Sequence, residues 1–260
     1  MDNKIKDIKE FWEDKAKEQG VSYKASWEDY YCMQMEIEAV NKLLEDSDRV
    51  LDIGCANGVG TIELASKRPL KIKGIDYAEE MIAAAKKGLN ENKHILKGEV
   101  SFDMGNILHL NEKENCYDKV ITKRVVINLE NLENQIKAAK EVHRVLKPAG
   151  VFCMSEASAD GLKCINALRR EFSLDQLKEP WHNTYIDEDK FIKGISVYFE
   201  VLDILNFSST YYIGSRVLQP FINKLLNQTP NYLSEINNLF KQLPPYGEYG
   251  IQKLFILRKI

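Results

Sequence analysis

Residues 50–60, VLDIGCANGVG, decide how the rest of the chain is read. Val50, Leu51 and Ile53 read as a short buried strand interrupted by an acid, Asp52. Small residues follow, from Gly54 through Cys55 and Ala56 to Gly60. Residues 61–67, TIELASK, then have helical spacing, with Ile62, Leu64 and Ala65 near one face. Strand, glycine-rich turn and helix in that order present backbone N–H groups and a helix N-terminus to a ligand. Residues 71–75 read as a second strand ending at Asp76. A carboxylate at that tip can accept two hydrogen bonds, the arrangement that grips a ribose diol.

The alternation continues along the chain. Helices are expected over about 27–44, 78–90 and 130–146, and strands over 98–104, 117–122 and 151–155. Lys147, Pro148, Ala149 and Gly150 read as a helix stop. Further on, helices are expected at 161–172, 187–194 (opened by an acidic cap), 214–227 and 231–243, and β segments at 197–208 and 251–257. Strands alternating with helices argue for a parallel sheet.

Four blocks carry a family resemblance: LDIGCANG at 51–58, GIDYAEEMI at 74–82, YDKVITKRVVINL at 117–129 and EVHRVLKPAGVF at 141–152. In this order and spacing the chain resembles the class I S-adenosylmethionine (SAM) dependent methyltransferases, with a UbiE-like core. The resemblance implies an α/β, Rossmann-like doubly wound sheet of about seven strands, mostly parallel with an antiparallel last strand. It implies SAM as cofactor and transfer of its methyl group to a small or medium-sized molecule through an oxygen, nitrogen or carbon atom.

Carried onto this chain, the resemblance places Asp52 and the backbone of Gly54, Cys55 and Ala56 at the methionine end of the cofactor. Asp76 falls on the ribose, and Tyr77, Met81, Asn106 and Ile107 around adenine. Lys123 and Arg124 fall beside the amino-acid moiety, through backbone contacts. The chain departs from the family at two positions. Ala56 stands where Gly is usual, and its Cβ clears the cofactor if φ there is negative. Asn106 stands where an acid is usual, and an amide can both accept from the adenine amino group and donate to a ring nitrogen.

The chain has 260 residues and is read as one methyltransferase domain, with cap segments at about 1–45, 158–195 and 211–250. Among the aromatic residues before the first strand, Trp12, Tyr23 or Tyr30 is a candidate lid over the cofactor. For an acceptor hydroxyl a base assists, and His182 in PWHN is the first candidate, with Glu156 at the end of the fifth strand second. Aromatic residues with polar tips, Trp181, Tyr211, Tyr212, Tyr246 and Tyr249, are expected at the acceptor pocket.

A net charge of −3 argues against a nucleic-acid backbone as partner. The charged first twenty residues do not read as a signal peptide, and no apolar run approaches the roughly 20 residues that span a membrane. Five cysteines without a CxxC pair or a metal-like cluster suit reduced thiols in the cytoplasm, and no metal is expected. Oligomeric state is not legible. Two other readings compete. An NAD-dependent oxidoreductase predicts G-x-G-x-x-G, a register that Gly54, Gly58 and Gly60 do not fit. A SAM-binding regulatory or scaffold protein without catalysis shares every feature of the cofactor blocks.

Overall fold

A computed structural model describes residues 3–229 and 231–260; residues 1, 2 and 230 of the expected cap segments lie outside the described residues. Seven strands form one sheet in the order β3-β2-β1-β4-β5-β7-β6. They are β1 Arg49–Ile53, β2 Lys71–Asp76, β3 Glu99–Met104, β4 Tyr117–Lys123, β5 Leu146–Ala157, β6 Phe199–Leu205 and β7 Gln252–Lys259. The first five are parallel, and β7 runs antiparallel to both β5 and β6. Val50, Leu51, Asp52 and Ile53 are all buried, because a central parallel strand is covered on both faces. Strand order reverses between β1 and β4, and a crevice opens at their carboxyl ends, where such sheets bind ligands.

Four helices border that crevice. Helix α1 (Asn3–Gln19) lies across it; α2 (Tyr30–Asn41) packs beneath; α3 (Val59–Lys67) starts at the glycine-rich turn. Helix α4 (Glu79–Asn92) has no side-chain cap of its own. Glu13 of α1 supplies one: its two oxygens accept from the N–H groups of Glu79 (2.9 Å) and Glu80 (2.8 Å). A carboxylate at a helix N-terminus meets unsatisfied donors and the positive end of the dipole, so this contact pins α1 over the crevice.

The remaining helices are α5 Leu132–Val145, α6 Ala159–Glu171, α7 Glu188–Ile195, α8 Ser209–Tyr212, α9 Gln219–Leu226 and α10 Glu235–Gln242. Most elements fall within a few residues of the sequence reading, and three of the differences have a visible cause. Helix α2 starts at Tyr30, not at 27, because Asp29 accepts from Cys32 N (3.2 Å) and caps it there. Strand β5 begins at Leu146: its pairing with β4 jumps from Tyr117↔Leu146 to Lys119↔Val151, so 147–150 form a kink within the strand. Helix α5 has already ended, since Lys147 precedes a proline and is biased away from helical backbone. Helices α8 and α9 are joined without a break by a π-helical turn, Ile213–Leu218. No helix among the described residues is long and apolar enough to cross a membrane.

Candidate active site

The loop after β1 and the loop after β4 face each other across the crevice. Gly54 sits at φ +65°, and a Cβ there would lie 2.2 Å from Val125 Cγ2, so only glycine permits this approach. The opposite loop is held by Glu156. Its carboxylate accepts from the backbone N–H groups of Val125 (3.0 Å), Val126 (3.0 Å) and Ile127 (3.2 Å), and it is fully buried. Burial pushes its pKa up to about 7 against those three bonds. This corrects the sequence reading of Glu156 as a second base. With its oxygens committed to backbone donors and the residue outside the lining of the crevice, it is a positioning residue for the loop that carries Arg124 and Asn128.

Ten of the eleven residues expected around the cofactor line one cleft: Gly54, Cys55, Ala56, Asp76, Tyr77, Met81, Asn106, Ile107, Lys123 and Arg124. Ile8 and Trp12 of α1 close it, and Trp12 Nε1 donates to Asn128 Oδ1 (3.4 Å) across the opening. Asp76 accepts from Ala56 N through one oxygen and from Ala78 N through the other, both at 2.9 Å. Burial raises its pKa to about 6, opposed by these backbone donors. A carboxylate has about four lone-pair sites, so acceptor capacity remains toward the cleft. Asn106 uses its side-chain oxygen to accept from Leu108 N (2.9 Å), an Asx turn that fixes the amide at the rim.

Asp52 is the exception and a second correction. It is fully buried and does not reach the cleft: one oxygen binds Lys123 Nζ (2.6 Å) and the other accepts from Thr61 Oγ1 (2.6 Å). Ala56 is a third. Its φ is +48°, not negative, and its side chain packs beside the cluster of Ala16, Ala25, Ala78 and Met81. Left-handed backbone costs a non-glycine residue about 1–2 kcal/mol, and glycine gives back about 0.4–1 kcal/mol through the unfolded chain. Ala56→Gly should therefore stabilise the fold by ~0.5–1 kcal/mol, read as a Tm higher by about 1–3 °C. A lower Tm would mean that the Cβ contacts outweigh the strain.

A family model for the methyltransferase domain matches residues 44–190. The chain belongs to the class I SAM-dependent methyltransferases. Among relatives of these methyltransferases, the chain is 26% identical over 219 residues to a phosphoethanolamine N-methyltransferase of Plasmodium falciparum, covering 82% of this chain and 74% of that protein. It is 25% identical over 196 residues to an uncharacterized methyltransferase of Schizosaccharomyces pombe, covering 72% and 69%. Among solved structures, magnesium protoporphyrin IX methyltransferase from Synechocystis PCC 6803 with bound SAH superposes with a TM-score of 0.58 at 15% identity, covering 89% of this chain and 86% of that one.

The methyltransferase core is joined by a second cavity of about 320 Å³, partly built from segments beyond residue 190. Trp12, Ser26, Arg124 and Asn128 line both spaces. The second cavity also takes in His182, Tyr185, Tyr212, Arg216, Tyr232 and Gln252. His182 stacks on Phe11 with ring centroids 4.8 Å apart, and Trp12 and Trp181 meet it edge-on at 5.8 and 5.4 Å. Of the other aromatic residues expected there, Tyr212 is present. Tyr211 is buried with its hydroxyl on Asp29 (2.6 Å), Tyr246 is 82% exposed, and Trp181 and Tyr249 are not in the wall.

Sequence reasoning missed Glu36 and Gln252, which no local motif marks. Glu36 is fully buried in α2 and accepts from Ser155 Oγ (2.7 Å), Gln252 Nε2 (3.0 Å) and Arg124 Nη1. The Arg124 guanidinium is also stacked 4.2 Å from the centre of the Trp27 ring. Arg124 thus stands by its side chain, not only its backbone, in the wall between the two spaces.

Proposed function

We propose that the cleft at the β1–β4 switch point holds SAM and that the second cavity holds a small acceptor molecule beside it. The observation that carries this reading is Asp76, a buried carboxylate fixed by two backbone donors with acceptor capacity left toward the cleft. Asp76 would take the ribose hydroxyls. The Gly54–Cys55–Ala56 backbone would receive the methionine end, and Tyr77, Met81, Asn106 and Ile107 would surround the adenine. SAM supplies an electrophilic methyl group on a sulfonium, and the protein brings the acceptor into line with it and excludes water. Trp12 and α1 serve that exclusion as the lid.

Three stretches supply lining of the second cavity, Trp12, Ser26 and Trp27, then Leu177, Lys178, Pro180, His182, Asn183 and Tyr185, then Tyr212, Arg216 and Tyr232, which supports reading them as a cap. An enclosed space lined by aromatic rings and several polar side chains suits a small molecule rather than a nucleic-acid strand. Five free cysteines, three of them buried, support a reducing compartment such as the cytoplasm.

Calorimetry tests the cofactor site. SAM and SAH should bind in the micromolar range, about −8 kcal/mol, and tighter binding of NAD would refute the assignment. Asp76→Ala removes charge-assisted bonds worth roughly 1.5–3 kcal/mol, so affinity should fall about ten-fold or more with the fold intact. The pH dependence has a definite sign. The folded pKa of Asp76, about 6, lies above that of an unfolded aspartate, so the folded protein takes up a proton as pH falls through 6. Its contribution to stability is present in acid and lost as pH rises through 6. Ribose hydroxyls need the charged form, so SAH affinity should run the other way and be about ten-fold weaker at pH 5 than at pH 7. Asp76→Asn should abolish that fall; an unchanged slope would assign it to another group.

A further inference from the structure

The wall of the second cavity is charged in one sense only. Arg124, Lys178 and Arg216 line it, and no aspartate or glutamate does among the described residues. Two of these cations are fixed from behind. Arg124 is paired with Glu36, and Arg216 Nη2 with Asp29 Oδ2. Asp29 is itself buried and outside the lining of the cavity, its other oxygen accepting from Cys32 N and the Tyr211 hydroxyl. Lys178 makes no ion pair among the described residues and is exposed on the loop before His182.

Arg216 is the distinctive member. It sits in the π-helical turn Ile213–Leu218, a geometry found mostly where a helix serves a site. Its guanidinium lies against the rings of Tyr212 (5.1 Å) and Tyr232 (4.7 Å), and Arg169 donates to its backbone carbonyl. Its Nη1 is buried and has no hydrogen-bond partner among the described residues. A buried guanidinium nitrogen without an acceptor is costly, and a carboxylate or phosphate oxygen is the group that satisfies it best.

We propose that the acceptor carries an anionic group, a carboxylate or a phosphate, on a planar or apolar body, and that Arg216 and Lys178 bind that group. This rests on the reading of the second cavity as the acceptor site. Arg216 lines the second cavity alone, whereas Arg124 and Asn128 are shared with the cofactor cleft. An anion held on Arg216 therefore turns the other end of the molecule toward the shared wall. Tyr212, Tyr232 and Trp27 supply faces for an aromatic or other flat body, and a volume of about 320 Å³ admits a small molecule.

The test is titration of the full chain, saturated with SAH, with benzoate, phenyl phosphate and the neutral benzamide. At least one anion should bind about ten-fold tighter than benzamide. Preference for phenyl phosphate marks a phosphate-bearing acceptor, and preference for benzoate a carboxylate. Arg216→Gln alone strands Asp29, so the paired change Asp29→Asn with Arg216→Gln is used beside Lys178→Ala, which alters an exposed loop residue. Each should weaken the anion about five-fold or more while benzamide is unaffected and SAH affinity stays within about two-fold. Equal binding of anion and benzamide, absence of anion binding, or an anion affinity untouched by both variants overturns the proposal. Anion binding with this pattern in a protein that does not bind SAH would overturn the methyltransferase reading instead and leave the anion site standing.

Discussion

Asp52→Ala should lower the stability of the fold by about 3–5 kcal/mol, the range for removing one partner of a buried ion pair. Asp52 lies on the central strand with no solvent exposure, and Lys123, at the end of the neighbouring strand β4, is 8% exposed. With the carboxylate gone, the ammonium has no counter-charge at 2.6 Å, and the Thr61 hydroxyl at the start of α3 loses its acceptor. The lysine is then left without its partner beside the cleft it borders. The attraction and the desolvation cost nearly cancel in the intact pair, so replacing both members with apolar residues, Asp52→Leu with Lys123→Met, should recover most of the loss. Urea unfolding of the three variants reads this directly. Unchanged stability with collapsed SAM affinity in Asp52→Ala would return Asp52 to the cofactor, as its place in the glycine-rich block suggested.

That block shows what a sequence can and cannot convey. Strand, turn, helix and the acid at Asp76 are local features, and the structure places them in one cleft with residues from two further blocks. An acid at the second position of LDIG reads the same whether it faces a ligand or the protein. What decides is Lys123, 71 positions away, and no periodicity announces that contact. Ala56 shows a different limit. Its left-handed backbone is set by the turn it must complete between Gly54 and Gly58, while the residue type alone argues for ordinary φ. The second cavity was least legible. Arg216 meets Asp29 from 187 positions away, and Gln252 meets Glu36 from 216. These residues look like surface positions of unrelated helices and a last strand until the antiparallel β7 and the π turn bring them to the core.

His182→Ala should lower methyl transfer to a hydroxyl acceptor by ~10²-fold, while SAM affinity stays within about two-fold. Among the described residues that line the second cavity, His182 carries the one imidazole. The loop bearing it is tied to the loop after β4: Thr184 N donates to the Ile127 carbonyl (2.6 Å), Thr184 Oγ1 to Glu130 O (3.2 Å), and Gln135 Nε2 to Thr184 O (2.9 Å). The ring is held flat on Phe11 and edge-on to Trp12, which borders both the cofactor cleft and the second cavity. Packing of this kind fixes an imidazole in one orientation next to the shared wall, as a base must be fixed before the acceptor arrives. The same packing supplies the competing explanation, a histidine that only fills space between aromatic rings. Phe11→Leu separates the two. It removes one of the contacts that orient the ring but leaves the imidazole and its Trp12 contact, so a base should lose only part of its activity, about ten-fold or less, with a modest loss of stability, whereas His182→Ala should lose far more activity at nearly constant stability. In the pH–rate profile the acidic limb, where the imidazole becomes protonated and cannot accept, should flatten in His182→Ala and persist in Phe11→Leu. Loss of stability in both variants with full specific activity would assign His182 to packing and leave proton removal to the acceptor's own acidity.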